Sequence, residues 1–309
     1  MKPLLPCLLL ASTLLAADPA PPRFFEKEKA FAPEQTTVVL LGTGMPVPNP
    51  RASGPATAVV LRDRVLLFDA GPGVVRQLAA AGLPINGVEA AFFTHLHSDH
   101  TLGYPDLIFT TWVMGRRTPF PVFGPEGLKA MTDHLLAAWA QDIDIRVNGL
   151  ERGIAGGHAV DVREVEPGVV YERDGVRVTA FAVPHGSWKR AYGYRIDTPG
   201  RSVVISGDTA PSGELARVAA GCDVLVHEVY PSVRLQNENR PGGNFWVAYM
   251  KSFHTSDEEL GALAAKIAPQ KLILHHIVRM NGTDGELLAG VRRGGFAGPT
   301  VIGQDLERH

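Results

Sequence analysis

The sequence is poor in cysteine and has almost no excess of either charge. Its 309 residues include two cysteines, Cys7 in the N-terminal segment and Cys222 before an apolar strand, where a small buried core residue is expected. Lys and Arg total 30 against 32 Asp and Glu, a net charge of −2. Such a balance lacks the basic excess that neutralises nucleic-acid phosphates. A composition of 45% hydrophobic residues, with mean hydropathy +0.02, is typical of a globular protein with a large core.

Long apolar segments are also missing. The longest N-terminal run, residues 4–15, is too short to cross a bilayer, and it is preceded by a lysine and followed by two alanines. These features predict a signal peptide over residues 1–17 and a proline-rich leader over 18–35. We therefore expect a periplasmic or secreted mature protein without a membrane span, in which Cys222 has no internal disulfide partner.

From residue 36 onward, strand patterns alternate with helical patterns. No repeat of fixed period and no convincing linker interrupts them, which predicts a single α/β domain over residues 36–309. Strands are predicted for 36–44, 57–62, 64–71, 88–95, 176–185, 201–208, 223–228 and 271–276. Helices are predicted for 74–82, 125–142 and 254–269, the last with a capping-box pattern at its start.

Several of these apolar strands end in a side chain that can bind a metal. The residues at the strand ends are His95, His185, Asp208, the pair His227 and Glu228, and the pair His275 and His276. Loops at strand ends are where rigid elements can direct side chains to one point. We therefore expect these distant positions to converge.

The densest cluster is "THLHSDH", which contains His95, His97, Asp99 and His100. Imidazole and carboxylate are the ligands that Zn²⁺ and similar ions use. In an extended segment the first three would point the same way, with His100 beside them for a second ion. A single ion rarely needs so many ligands. Two ions about 3.5–4 Å apart would use them all, and such pairs polarise an ester and generate hydroxide.

Taken together, these motifs resemble the metallo-β-lactamase fold, an αββα four-layer sandwich of the α/β class with a metal pair at one edge. The resemblance covers roughly residues 36–305 and is closest to the ribonuclease Z-like branch. The segments that carry it occur in the order of that branch: "LLGTGMPVPNPRASG", "LFDAGPG", "THLHSDH", "FGPEGL", "VPHG", "SGDT", "VHE", "FHTS" and "KLILHH".

The resemblance implies two metal ions, Zn²⁺ with Mn²⁺ or Fe as alternatives, and a carboxylate that bridges them. The implied ligands are His95, His97 and His185 for one ion, Asp99, His100 and His276 for the other, and Asp208 for both. Adjacent strand residues point to opposite faces. The family pattern selects His276 rather than His275.

The resemblance also implies roles around the metal pair. Asp99 would orient the attacking water or accept its proton. His254 of "FHTS" matches the branch's general acid, and Glu228 would hold its imidazole. Asp69 would accept a hydrogen bond from a metal-bound histidine or water. For His227 two alternatives stay open, a supporting contact behind the site and a structural hydrogen bond.

For the substrate, the details favour exported arylsulfatase-like members of the branch. The tRNA 3′-end nucleases carry a long basic arm between the third histidine ligand and the bridging aspartate. Here only 23 positions separate His185 from Asp208. We therefore expect a hydrolase of small sulfate or phosphate esters, with no nucleic-acid partner. Trp188 would wall the substrate pocket, with Trp112, Trp246 and Tyr230 as further candidates.

Three alternatives remain. The first is a ribonuclease Z-type tRNA 3′-endonuclease, and the second is a β-lactamase or lactonase on the same fold. The third is a metal-binding module without activity, against which the presence of His254 and Glu228 argues. Homodimers are common in this branch, so a homodimer is compatible with each alternative.

Overall fold

The computed structural model describes residues 35–236 and 245–309. The signal peptide predicted for residues 1–17, and all but the last residue of the leader predicted for 18–35, lie outside the described residues. Within the described part, no helix combines the length and apolar character that a bilayer crossing requires. Cys222 is buried, as expected, and forms no disulfide with another described residue. Burial raises the pKa of its thiol to about 12.

The first half of the described chain forms a mixed sheet of six strands. In spatial order these are β1 (Thr37–Gly42), β2 (Ala56–Leu61), β3 (Arg64–Phe68), β4 (Val88–Phe92), β5 (Phe120–Gly124) and β6 (Val160–Glu164). The first three strands pair antiparallel and the pairs from β3 to β6 are parallel.

The second half forms a mixed sheet that, in the described ranges, has seven strands. They are β7 (Gly168–Arg173), β8 (Val176–Ala182), β9 (Tyr192–Thr198), β10 (Arg201–Ile205), β11 (Val224–Val229), β12 (Lys271–Ile277) and β13 (Thr300–Ile302). The spatial order runs from β13 to β7 in reverse chain order. The strands β10 to β13 are mutually parallel, and β7 to β10 pair antiparallel.

Helices flank both sheets. They are α1 (Val74–Ala80), α2 (Ser98–Thr101), α3 (Tyr104–Val113), α4 (Leu128–Ala138), α5 (Ala140–Asn148), α6 (Gly213–Ala219), α7 (Trp246–Phe253), α8 (Asp257–Ile267) and α9 (Asp284–Arg293). The single helix predicted for 125–142 is wrong. It breaks at Trp139, whose φ of −100° and ψ of 15° leave the helical region. α4 buries side chains whereas α5 buries none, so the two segments are held differently.

Strand alternation explains the layers. In β1, Val39 and Leu41 pack under α1 and α3, whereas Val38 and Leu40 pack between the two sheets. A third apolar cluster covers the outer face of the second sheet with α6, α8 and α9. Both faces of both sheets are therefore buried, and the predicted αββα sandwich is confirmed.

The same topology brings the strand ends together. Because β10, β11 and β12 are parallel, their carboxyl ends meet at one edge of the second sheet. Asp208 follows β10, while Glu228 and His276 lie near the ends of β11 and β12. His95 follows β4 in the facing sheet. Side chains far apart in sequence therefore reach one edge of the sandwich.

Candidate metal centre

Three imidazoles converge at this edge. The Nε2 atom of His95 lies 2.9 Å from Nδ1 of His97, and Nε2 of His185 lies 3.2 Å from the same atom. One carboxylate oxygen of Asp208 is 4.0 Å from Nε2 of His95. The four residues offer ligand atoms that all lie within 4.8 Å of one another. The structure thus assembles the set that the sequence predicted for one ion.

A second group adjoins the first. The Oδ2 atom of Asp99 is 3.2 Å from Nε2 of His276 and 3.6 Å from Nε2 of His100. Asp208 reaches this group as well, because its two oxygens lie 3.4 Å from the Nε2 atoms of His100 and His276. Asp208 therefore stands between the two groups, in the position expected of a bridging carboxylate.

The backbone that carries these ligands differs from the extended segment expected from "HLHSDH". His97 is the N-cap of α2, and Asp99 and His100 lie within that short helix. The alternation along an extended chain therefore does not explain their convergence. The turn from loop into helix does, because it directs His97 to one group and the next two ligands to the other.

The two histidines of "KLILHH" separate as predicted. His275 points between the sheets, where its Nε2 lies 3.4 Å from the hydroxyl of Thr57, and burial lowers its pKa to about 3. His276, with a left-handed φ of 40°, faces the cluster instead. Burial among apolar strands leaves His275 neutral and away from the metal groups.

Hydrogen bonds behind the ligands set the ring orientations. Asp69 Oδ2 lies 2.8 Å from Nδ1 of His100, which leaves Nε2 of that ring facing Asp208. The other oxygen of Asp69 accepts from the backbone N–H of Thr94 at 2.8 Å. The Thr94 hydroxyl is 3.0 Å from Nδ1 of His95. Such contacts select the tautomer of a ligating imidazole. Sequence reasoning missed Thr94, although its place directly before His95 was visible.

The pKa directions follow from burial and from the neighbouring carboxylates. Burial lowers the pKa of His95 and His97, and it lowers that of His185 to about 4. These three rings are therefore neutral near pH 7 and keep the lone pairs that a cation needs. Burial alone would also lower the pKa of His100, but the carboxylates of Asp208 and Asp69 outweigh it and raise that pKa.

His254 lies beside the cluster. Its Nδ1 atom is 3.3 Å from Oε2 of Glu228 and 4.0 Å from Oδ2 of Asp208. Burial alone would lower its pKa, but the charge of Glu228 outweighs burial and raises it. Glu228 is held in turn by the N–H of Thr255, which donates to Oε1 at 2.8 Å. The pair thus places a protonatable group next to the metal ligands.

The structure shows the contacts of two further residues that the sequence singled out, His227 and Trp188. His227 is buried, its Nδ1 lies 2.6 Å from the carbonyl of Glu228, and it belongs to neither ligand group. These contacts favour its structural alternative. The indole N–H of Trp188 donates to Nε2 of His97 at 2.8 Å, so Trp188 contacts a ligand directly.

Asp305 is a supporting residue that sequence reasoning missed. Its carboxylate accepts hydrogen bonds from the N–H and hydroxyl of Thr43, both at 2.9 Å, from the N–H of Ser53 at 2.7 Å and from the side chain of Gln77 at 2.6 Å. The loop 43–53 is therefore tied to the C-terminal segment. Nothing in "GQDLE" indicated this, because the partners are more than 220 positions away in sequence.

The donor set fits a pair of cations. Two buried atoms, Nε2 of His100 and Oδ1 of Asp208, lie 3.4 Å apart, and neither has a hydrogen-bond partner among the described residues. Buried polar atoms are normally paired. Neutral imidazoles converging with carboxylates are the chemistry that Zn²⁺ and related ions select. His95, His97, His185 and Asp208 would hold one ion, and Asp99, His100, His276 and Asp208 the other.

Comparison with known proteins agrees with this fold. The family profile described as the beta-lactamase superfamily domain matches residues 64–277. The metallo-beta-lactamase fold protein YhfI from Bacillus subtilis superimposes with a TM-score of 0.67 at 17% identity, over 89% of this chain and 98% of that one. The chain belongs to the metallo-β-lactamase superfamily and is a metal-dependent hydrolase.

The branch is defined by closer relatives. Ribonuclease Z of Mycolicibacterium paratuberculosis is 34% identical over 283 residues, which cover 88% of this chain and 96% of that enzyme. The short form of human tRNase Z has the same fold, with a TM-score of 0.65 at 19% identity over 88% of this chain and 98% of that one. The chain is thus a member of the ribonuclease Z-like branch.

These relatives correct the substrate expectation. The prediction of a hydrolase of small sulfate or phosphate esters of the arylsulfatase type, with no nucleic-acid partner, is wrong, because the chain matches a ribonuclease Z along nearly the whole of that enzyme. Two observations misled it. The structure also lacks the arm, since β9 and β10 are joined by a tight turn between Thr198 and Arg201. An arm of this kind would affect how the substrate is bound, not which bond is cut. Net charge averages over the molecule and does not describe the site.

Proposed function

We propose that this chain is a metal-dependent endoribonuclease of the ribonuclease Z type, which cleaves a phosphodiester bond on the 3′ side of tRNA-like precursors. The observation that supports it best is the pair of ligand groups that both lie against Asp208, placed beside His254 and Glu228. That arrangement occurs in a chain that is 34% identical to a ribonuclease Z over 96% of that enzyme's length.

The residues divide the reaction between them. Bound cations would neutralise phosphate charge and acidify a water molecule. Asp99 would orient the water or accept its proton as a carboxylate, because the hydrogen bond to His276 outweighs burial, lowers the pKa of this carboxyl and keeps it ionised. His254, whose pKa is raised, is suited to give a proton to the leaving oxygen. Glu228 would hold that imidazole in place.

For the metal we propose zinc, with Mn²⁺ or Fe as the ions to be excluded. The mixture of imidazole nitrogens and carboxylate oxygens supports zinc but is shared with both alternatives. Metal analysis of the purified protein, with about two ions per chain expected, tests the proposal. A content of one ion per chain would contradict the shared role of Asp208.

For the location we retain export as a proposal. The signal-peptide pattern over residues 1–17 supports it. An exported nuclease would meet RNA outside the cytoplasm, whereas a retained one would meet tRNA precursors. Cell fractionation and N-terminal sequencing of the mature protein separate the two cases. An intact Met1 in the cytoplasmic fraction would end the export proposal, and the catalytic proposal for residues 36–309 would stand without it.

The activity itself is tested with a panel of substrates. A precursor tRNA with a 3′ trailer, a single-stranded RNA, bis(p-nitrophenyl) phosphate and p-nitrophenyl sulfate would be compared, with cleavage positions mapped on the RNA. We expect a single cut in the precursor, abolished by Asp208→Asn. Turnover of the sulfate ester with no cut in either RNA would contradict the proposal.

A further inference from the structure

One side of α7 carries a row of aromatic rings. Trp246, Tyr249 and Phe253 recur at the spacing that places side chains on the same side of a helix. The rings of Trp246 and Tyr249 are 5.4 Å apart with 13° between their planes, and those of Tyr249 and Phe253 are 4.3 Å apart with 23° between them. The three rings, here called the α7 row, are therefore nearly parallel.

The α7 row leads directly into the metal centre. The ring of Phe253 lies 4.9 Å from that of His185, and it is nearly parallel to that of His97, 6.5 Å away at 22°. The carbonyl of Phe253 lies 2.8 Å from Nδ1 of His185. The N–H of Gly186 donates to the carbonyl of Ser252 at 2.8 Å. One end of the row is thus held against two metal ligands.

Gly186 makes this close approach possible. A Cβ atom at this position would lie 2.0 Å from the ring of Phe253, and the residue has a left-handed φ of 51°. Only glycine satisfies both conditions without strain. The turn after His185 is therefore shaped to accept an aromatic ring from α7.

The other end of the row reaches the surface. Tyr249 is 37% exposed, and Trp246 is half-buried against a small cluster at the rim that contains Tyr230 and Met250. None of the three rings belongs to the large apolar clusters that pack the sheets. Packing of the sandwich therefore does not account for an exposed tyrosine between two further aromatic side chains.

We infer that the α7 row is a stacking site for unpaired bases of an RNA strand whose scissile phosphate lies at the metal centre. Aromatic planes bind nucleobases through stacking and accept any base. The chain has a net charge of −2 and no arm between His185 and Asp208. Base stacking can bind an RNA strand without a basic protein surface. The inference rests on the proposed function and names the contact that holds the strand beside the site.

The test compares RNA with a substrate that has no bases. For each variant, kcat/KM is measured on a precursor RNA and on bis(p-nitrophenyl) phosphate, and the ratio of the two is reported. Tyr249→Ala and Trp246→Ala should lower the ratio about tenfold each, the size of one base–aromatic stack. Tyr249→Phe keeps the ring and should restore most of it. Trp139→Ala removes a 40%-exposed indole between α4 and α5 and is the matched control.

A binding measurement gives a readout independent of turnover. RNA with a methylphosphonate at the scissile position and 2-aminopurine in successive neighbouring positions is titrated with the metal-loaded protein. Quenching at one or two positions is expected with the wild type and with Tyr249→Phe, and its loss with Tyr249→Ala. An abasic substitution at the quenched position should lower wild-type kcat/KM about tenfold and leave that of Tyr249→Ala little changed.

The outcomes separate the two proposals. A wild-type enzyme that cuts no RNA overturns the proposed function, and the stacking site falls with it. A wild type that cuts RNA, with Tyr249→Ala and Trp246→Ala retaining the wild-type ratio and the quenching, overturns the stacking site alone.

Discussion

At the scale of single residues, the state of each imidazole is set by what lies behind it. His100 is held by Asp69 and His185 by the carbonyl of Phe253, so both direct Nε2 to the cluster. His254 faces the carboxylate of Glu228, which raises its pKa, just as Asp208 and Asp69 raise the pKa of His100. Burial therefore favours the neutral form of His95, His97 and His185, whereas the Glu228 carboxylate favours the protonated form of His254.

The general-acid role predicts a specific pattern of losses. His254→Ala should lower kcat about 10²- to 10⁴-fold, while metal content stays that of the wild type, because His254 is outside the two proposed ligand sets. Activity and metal content are measured on the same preparation. Unchanged turnover, or a parallel loss of metal, would count against the assignment.

The proposed role of Glu228 predicts a change in the pH profile of activity. A general acid works only while protonated, so activity is lost as pH rises through the pKa of His254. Because the Glu228 carboxylate raises that pKa, Glu228→Gln should lower it and move the alkaline limb of kcat/KM to lower pH. Glu172→Gln, an exposed strand residue paired with Arg177, is the control. An unshifted limb would show that Glu228 acts only through structure.

Trp188 predicts an unusual effect on metal affinity. An indole N–H only donates, so Nε2 of His97 accepts from it. If a metal ion bound Nδ1 of the neutral His97 ring, the ring proton would lie on Nε2. Two N–H donors, that of His97 and that of Trp188, would then face each other. Trp188→Phe should relieve a conflict of about 1 kcal/mol and strengthen metal binding about fivefold. Competition with a chromophoric chelator measures it. Weaker binding would mean that the indole supports the ligand.

At the scale of elements, strands were easier to predict than helices. Apolar runs such as "TTVVLLG" identified β1 because both of its faces are buried. The periodicity of residues 125–142 was compatible with one helix. In the structure the helix is interrupted at Trp139, and only the first part, α4, has buried side chains. The short helix α2 was missed because four residues carry no period, and tertiary contacts decide their shape.

Two capping boxes offer a matched comparison. Ser256 caps α8 two positions after His254, and Thr283 caps α9, each with the reciprocal Glu contact. Ser256→Ala and Thr283→Ala should each cost about 1 kcal/mol of unfolding free energy in urea denaturation. Only Ser256→Ala should also lower kcat/KM on RNA, because its cap fixes the start of α8 beside His254. Equal effects of the two substitutions on kcat/KM would show that the start of α8 does not position His254.

At the scale of the whole molecule, the metal centre joins the two sheets. One ligand set includes His95 after β4 of the first sheet and Asp208 after β10 of the second. Ions that bind only the folded state stabilise it by mass action. The edge of the sandwich is therefore where ligand binding and folding are coupled.

Chelation tests that coupling. Removing two ions, each held at about 100 times its Kd, should cost about 2.7 kcal/mol per site and lower Tm by roughly 5–10 °C for a chain of this size. Zinc should restore both Tm and RNA cleavage, and Asp208→Asn should respond weakly to either treatment. A chelated protein with an unchanged Tm and full activity would refute a metal centre between the sheets.

The sequence by itself determined the candidate ligands, and its resemblance to a known family determined the expected layers. A ligand is specified by residue type and by its place at the end of an apolar strand, and both are local properties that a single segment carries. Thus "THLHSDH", "VPHG", "SGDT" and "KLILHH" supplied the candidate ligands, and the resemblance of the full set of motifs to a known family implied the αββα fold and the two ligand groups. The tertiary structure decided what depends on distant partners: the tether of Asp305 to the loop 43–53, the contact of Trp188 with His97 and the α7 row against His185. No local pattern encodes such contacts, because they form only after two sheets have packed. The substrate class was misjudged for a similar reason. Net charge and the absence of an arm do not show where the rings and charges that would bind a substrate lie in the folded chain.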